Sequence, residues 1–187
     1  NESEYQSRHL NTIIKSGRAL LSIINDILDL SKIEAGHIQI DRNPLELRNI
    51  LDEVRQMFEP KILEKKLTYE SFIDANIPPT LLIDEIRLRQ ILFNLIGNAL
   101  KFTNKGYVQT NVSFKPVGLG HIDLKITISD SGIGIDEQER EVVFEAFRQS
   151  SDINTNKAEG TGLGLTITKR LIDKMNGSIS LKSELNK

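Results

Sequence analysis

No cysteine occurs among the 187 residues. That excludes disulfides and thiolate metal sites, and it is the usage expected in a reducing cytosol. No stretch is apolar enough to span a bilayer, and the first residues lack the pattern of a signal peptide. A cytoplasmic chain without membrane contact is the expectation, with any anchor of a parent protein lying outside these residues. A charge excess is missing too. The formal net charge of −2 is too small to draw nucleic acid or an anionic membrane surface. Repeats and low-complexity tracts are absent, and position 1 is Asn rather than an initiator methionine, so the chain is expected to be a piece of a longer protein. What is present is an ordinary globular composition, 39% hydrophobic and 27% charged. The length suits one domain plus an appendage, or two small domains.

Residues 5–34 read as one helix. Leu10, Ile13, Gly17, Leu20, Ile24 and Ile27 recur at alternating steps of three and four, and Ile14, Leu21 and Leu28 widen the stripe. A lone helix cannot bury such a face, so partner helices are implied. Ala35-Gly36 supplies the stop. His37–Asp41 then alternates like a short strand. Residues 45–64 return to helical spacing through Leu47, Ile50, Leu51, Val54, Met57 and Phe58. Leu67–Ile73 reads as a strand that Pro78-Pro79 ends, and Asp84 can cap a helix running to Phe102. Tyr107–Lys115 and His121–Ser129 read as two strands with Val117–Gly120 as the hairpin loop between them. Asp136–Phe144 predicts a short helix, Ser150–Glu159 a mobile loop, and Leu163–Met175 a helix; Asn176-Gly177 turns into a final strand at Ser178–Lys182. Strands mixed with helices, without strict βαβ alternation, predict an α/β (α+β) two-layer sandwich. Its mixed sheet carries helices on one face and is preceded by the long amphipathic helix.

Three segments can carry chemistry. Asn94 and Asn98 lie four apart on one helix and share a face, with Lys101 three residues further on. Neutral amide oxygens suit a hard cation such as Mg²⁺ alongside phosphate and water, and a lysine adds a point charge for phosphate. Spacing alone fits a solvated polar face better. Asp130 ends an apolar strand and precedes Ser131-Gly132-Ile133-Gly134. A buried carboxylate there accepts a hydrogen bond from an exocyclic amine such as that of adenine, and repels the carbonyl of guanine; glycine lets the backbone approach the ring. An ordinary capped turn fits the same residues. Gly160-Thr161-Gly162-Leu163-Gly164-Leu165 opens a helix, and glycines at a helix N-terminus make an anion site. It is no Walker motif, because Gly-Lys-Ser/Thr is missing, and no apolar strand precedes it as a dinucleotide fingerprint requires. Phe144 and Phe147 flank the polar loop as lid anchors or as core aromatics, and Lys157 within it can reach a terminal phosphate.

In their order, Asn94–Lys101, Asp130–Gly134, Phe144-Glu145-Ala146-Phe147 and Gly160–Leu165 resemble the ATP-binding domain of the sensor histidine kinases. That domain belongs to the superfamily of gyrase, heat-shock chaperone and mismatch-repair ATPases. Leu21–Gly36 resembles the second helix of the kinases' dimerisation hairpin, and Asp84–Ile91 the lead-in to the asparagine helix. The resemblance implies that residues 1–36 are that second helix, with the first helix absent. It implies that residues 37–187 are the ATP-binding catalytic domain, lacking its last strand. ATP or ADP and Mg²⁺ are the implied ligands, with Asn98 on the metal and Asn94 and Lys101 in catalytic positions. Asp130, Gly132, Gly134, Ile135, Phe147, Lys157, Gly160, Thr161, Gly162, Leu163, Gly164 and Leu165 would contact the nucleotide. The implied partners are a second copy, through a helical bundle, and a response regulator or receiver domain. The implied reaction moves the γ-phosphate of ATP to a histidine outside this chain. The family's acceptor is followed by Glu, and none of His9, His37 or His121 is. Two other outputs fit the motifs: an ATP-gated clamp, and a non-catalytic dimerisation scaffold. Asn94 stands where related ATPases carry a glutamate base, which disfavours efficient hydrolysis and hence the clamp.

Overall fold

The computed structural model describes residues 2–140, 142–146 and 162–185. Its first element is α1 (Glu2–Glu34). Gly36 ends it at φ +71, where only glycine is at ease, and the His37 amide turns back to the Lys32 carbonyl. Leu10, Ile13, Leu20, Leu21, Ile24, Ile27 and Leu28 are all exposed. The predicted stripe therefore exists and stands open, while Ile33 at the helix's end is buried.

Next come β1 (Asn43–Leu45), α2 (Leu47–Lys65), β2 (Thr68–Ile73), β3 (Leu81–Ile83) and α3 (Glu85–Phe102). Then follow β4 (Tyr107–Pro116), β5 (Ile122–Asp130) and α4 (Gly164–Lys174). The main sheet has the order β2-β4-β5 and is mixed. β2 runs parallel to β4 from Thr68 opposite Tyr107 to Ile73 opposite Val112, and β4 is antiparallel to β5 from Val108 opposite Asp130 to Pro116 opposite Ile122. One face of this sheet, carrying Tyr69, Ile73, Val108, Val112, Ile126 and Ile128, packs on α2 and α3. The helices give Leu47, Ile50, Leu51 and Val54 from α2, and Leu88, Leu92, Ile96, Ala99 and Leu100 from α3. This is the predicted two-layer sandwich. A second apolar cluster joins Ile33, Ile38, Ile91, Leu163, Ile167 and Leu171, and so holds the end of α1 against α4 and α3.

Capping explains why α3 begins where it does. The Asp84 carboxylate accepts from the Arg87 amide at 3.0 Å and from the Asp41 amide at 2.9 Å, and is itself buried. The first departure from expectation lies beside that second bond. His37–Asp41 alternates in burial but makes no ladder, and the strand forms two residues later as β1, paired antiparallel with β3. Residues 136–144, predicted as a helix, form successive tight turns in their described part, with the Glu139 and Arg140 amides on the Asp136 carbonyl. Ser178–Lys182 is not a strand. Ile179 and Leu181 alternate with exposed neighbours, yet the segment has no backbone partner strand among the described residues. Met57, placed on the apolar face of α2, is exposed. The loop expected at Ser150–Glu159 lies outside the described residues.

Candidate nucleotide site

α3 is the spine of the site. Its buried face fixes the opposite face, where Asn94, Asn98 and Lys101 are half-buried. The Asn94 amide nitrogen donates to the Gly164 carbonyl at 3.3 Å and to the Thr168 hydroxyl at 3.4 Å. Asn94 thus ties α3 to the first turn of α4, with its carboxamide oxygen beside Gly164. The Asn98 side chain, one turn on, makes no hydrogen bond among the described residues. The Lys101 ammonium lies 4.7 Å from the centre of the Phe102 ring.

Gly162, at φ +70, and Leu163, which is fully buried, lead into α4. Among the described residues no side chain caps it, and no acidic residue sits in its first turn. Its leading amides and the positive end of its dipole favour an anion at this end of the helix. Gly164 and Leu165 follow, half-buried beside Asn94.

Asp130 sits at the other end of α3. Its Oδ1 accepts from the Gly132 amide at 2.9 Å and from the Thr103 hydroxyl at 3.3 Å. Its Oδ2 has no partner among the described residues. Gly132 leaves no room for a side chain, since a Cβ there would lie 2.8 Å from the Phe102 carbonyl oxygen. Gly134, at φ +73, is pressed against the Glu184 backbone, and the Ile135 amide donates to the Ser183 hydroxyl at 2.8 Å. One expectation is corrected here: Asp130 is exposed rather than buried. It ends β5, an edge of the described sheet, and no described layer covers it.

From Asn94 to Thr103 the rise along α3 is about 13 Å. The helix therefore spaces the start of α4 from the Asp130 carboxylate at the end of β5. Phe144 is half-buried with the Lys169 ammonium 5.6 Å from its ring centre, and it lines a cleft with Leu30, Glu34 and Thr166 away from this spine. Phe147, Lys157, Gly160 and Thr161 lie outside the described residues.

The order of these parts has a counterpart. Residues 83–187 match the family described as histidine kinase-, DNA gyrase B- and HSP90-like ATPase. The chain belongs to this family. Residues 1–36 match the His Kinase A (phospho-acceptor) domain. Among relatives, the signal transduction histidine-protein kinase BarA of Escherichia coli K12 is 40% identical over 182 residues, covering 97% of this chain and 20% of its own length. The sensor protein GacS of Pseudomonas syringae is 42% identical over 178 residues, covering 95% of this chain and 20% of its own length. The chain thus spans about a fifth of the curated relatives it matches. Full-length ShkA, solved with AMPPNP, superposes with a TM-score of 0.80 at 33% identity over 96% of this chain and 36% of ShkA. This chain accordingly carries the ATP-binding catalytic domain of a sensor histidine kinase.

Two residues that meet at the end of α3 are not singled out by any sequence motif. Thr103 gave a weak signal as a hydroxyl residue just past a helix end. Lys65 gave none. Its ammonium donates to the carbonyls of Leu100, Lys101 and Thr103 at 2.7, 3.0 and 2.9 Å. Burial first, then the charge of Lys61, draws it below the usual lysine range.

Proposed function

We propose that residues 37–187 bind ATP along α3 and pass its γ-phosphate to a histidine outside this chain, with residues 1–36 as one helix of a dimerisation hairpin. One observation carries the base end. Asp130 is held by two donors on one oxygen and keeps the other for an exocyclic amine. The phosphates then lie toward the start of α4, whose dipole favours an anion, with Gly162, Leu163, Gly164 and Leu165 supplying backbone. Gly132, Gly134 and Ile135 shape the base end, while Phe147, Lys157, Gly160 and Thr161 complete the nucleotide contacts.

A magnesium ion fits the donor set. Asn98 offers an uncharged oxygen that no described residue occupies, and Mg²⁺ accepts such an oxygen beside phosphate and water. Once bound, the ion would neutralise phosphate charge. The chain's own residues do the rest. Asn94 fixes the start of α4 against α3, and Lys101 adds positive charge on the same face. Phosphoryl transfer is mostly positioning and charge stabilisation, so a frame of this kind suffices once an acceptor is in line. The acceptor is placed elsewhere because no histidine here precedes a glutamate. The open stripe of α1 supports a second copy as bundle partner. A response regulator or receiver domain is the onward partner that the resemblance implies. Calorimetry with ADP and with inosine diphosphate, whose carbonyl replaces the amine, tests the base end. Asp130→Ala should weaken ADP binding about tenfold or more and erase the preference for adenine. Unchanged affinity would sink the assignment.

A further inference from the structure

Lys65 belongs to none of the sequence motifs and touches no proposed nucleotide contact except through backbone. It ends α2, and its ammonium spends all three N–H bonds on backbone carbonyls at the end of α3: Leu100 and Lys101 in the last turn, and Thr103 just past it. A helix leaves those carbonyls without intrahelical partners and concentrates partial negative charge there. A half-buried cation on two of them, and on the Thr103 carbonyl just past them, holds the end of the helix in place. The stop is at Thr103, whose backbone is extended (φ −96, ψ 117) and whose side chain is fully buried. From there the hydroxyl donates to Asp130 Oδ1, the oxygen that also takes the Gly132 amide. The Phe102 carbonyl closes the same turn from the other side, so near Gly132 that a methyl would not fit. Ammonium, helix end, hydroxyl and carboxylate form one connected chain.

We propose that Lys65 is a positioning residue for base recognition: by fixing the end of α3 it sets, through Thr103, which carboxylate oxygen of Asp130 is left for the nucleotide. This rests on the reading that Asp130 accepts from adenine. An ordinary helix cap would stabilise the fold without affecting selectivity. Here the capped residue is itself the donor to the recognition carboxylate, so loss of the cap loosens the carboxylate. Adenine preference then depends on a residue of α2 that meets no ligand.

The test is a double-mutant cycle on the whole chain, read as dissociation constants for ADP and inosine diphosphate below the unfolding temperature of every variant. Lys65→Met keeps the aliphatic stem and removes the three donors. We expect it to weaken ADP about threefold to tenfold, and to lower the ADP preference by the same factor. Lys65→Met combined with Asp130→Ala should bind ADP no more weakly than Asp130→Ala alone, because the two act in series. An unchanged preference in Lys65→Met, or losses that add in the double variant, overturns the proposal. Should Lys65→Met not fold, Thr103→Val removes the hydroxyl with its shape kept, and the same two comparisons decide. Asp130→Ala alone separates the two layers. If it leaves ADP affinity intact, base recognition by Asp130 is wrong. If it weakens ADP while neither Lys65→Met nor Thr103→Val shifts selectivity, only the positioning role is wrong.

Discussion

Gly132→Ala should damage the nucleotide site by sterics alone. Gly132 does not use a left-handed backbone, so alanine carries no conformational penalty there. Space is the constraint. The new Cβ would stand 2.6 Å from Asp130 Oδ1 and 2.8 Å from the Phe102 carbonyl oxygen. Relief requires the turn to retreat from the end of α3 by roughly half an ångström, because carbon and oxygen repel steeply below their contact distance. Overpacking of this size costs about 1–3 kcal/mol of stability. The retreat also stretches the bonds from Gly132 and Thr103 to Asp130, and losing the aligned carboxylate is worth about 1.5–3 kcal/mol of binding, or tenfold to a hundredfold in the ADP dissociation constant. Calorimetric unfolding and ADP titration measure the two parts separately. Gly120→Ala is the control. That residue has φ +74 and nothing within 4 Å of an added methyl, so it should lose about 1 kcal/mol of stability and keep its ADP affinity. Wild-type stability and affinity in Gly132→Ala would refute the reasoning, since the turn would then not be held tightly against α3.

Asn98→Ala should erase most of the Mg²⁺ enhancement of ADP binding while leaving metal-free binding nearly unchanged; a variant with the full enhancement would remove Asn98 from the metal. Leu92→Ala, at a fully buried position of α3, should cost about 2–5 kcal/mol in denaturant unfolding, and a smaller loss would mean the sandwich core collapses into the gap. Incubated with γ-labelled ATP, this chain should carry no acid-labile label. Stoichiometric label on His9 would overturn the placement of the acceptor elsewhere. Replacing Leu20 and Ile27 together by Glu should shift any self-association seen by sedimentation toward monomer, because both stand on the open stripe of α1; an unchanged profile would place the contact on another face.

Elements with long, regular patterns were readable in the sequence. α3 runs between Asp84 and Phe102 as its cap and apolar spacing imply, and β4, β5 and α4 fall within a residue or so of their expected bounds. β1 and β3 were not readable, because three-residue strands hold too few positions for alternation to show. The opposite error occurred at Ser178–Lys182, where alternation is real but pairing is not. Alternation reports which side of a segment is covered, and a ladder needs a neighbouring strand. The described site residues that sequence singled out meet along α3, at Asn94 with Gly164 and at Asp130 with Gly132. Lys65 could not be foreseen, because its partners lie 35 to 38 residues away and are backbone oxygens that every residue possesses. Thr103 and the exposure of Asp130 likewise depend on how the end of α3 meets the sheet edge.

α4 is 11 residues long, a rod of about 16 Å with little scope to bend. Its first turn is tied to Asn94, and Ile167 and Leu171 share a buried cluster with Ile33 at the end of α1. Gln90 of α3 adds a second tie, donating to Asp29 of α1 at 2.8 Å. A twist of α1 that shifts Ile33 must therefore carry the rod or expose the cluster. Linkage then works in both directions. If bound nucleotide favours one posture of α1 by some factor, holding α1 in that posture raises nucleotide affinity by the same factor. Under that condition α1 is a torque arm whose load is read as a dissociation constant.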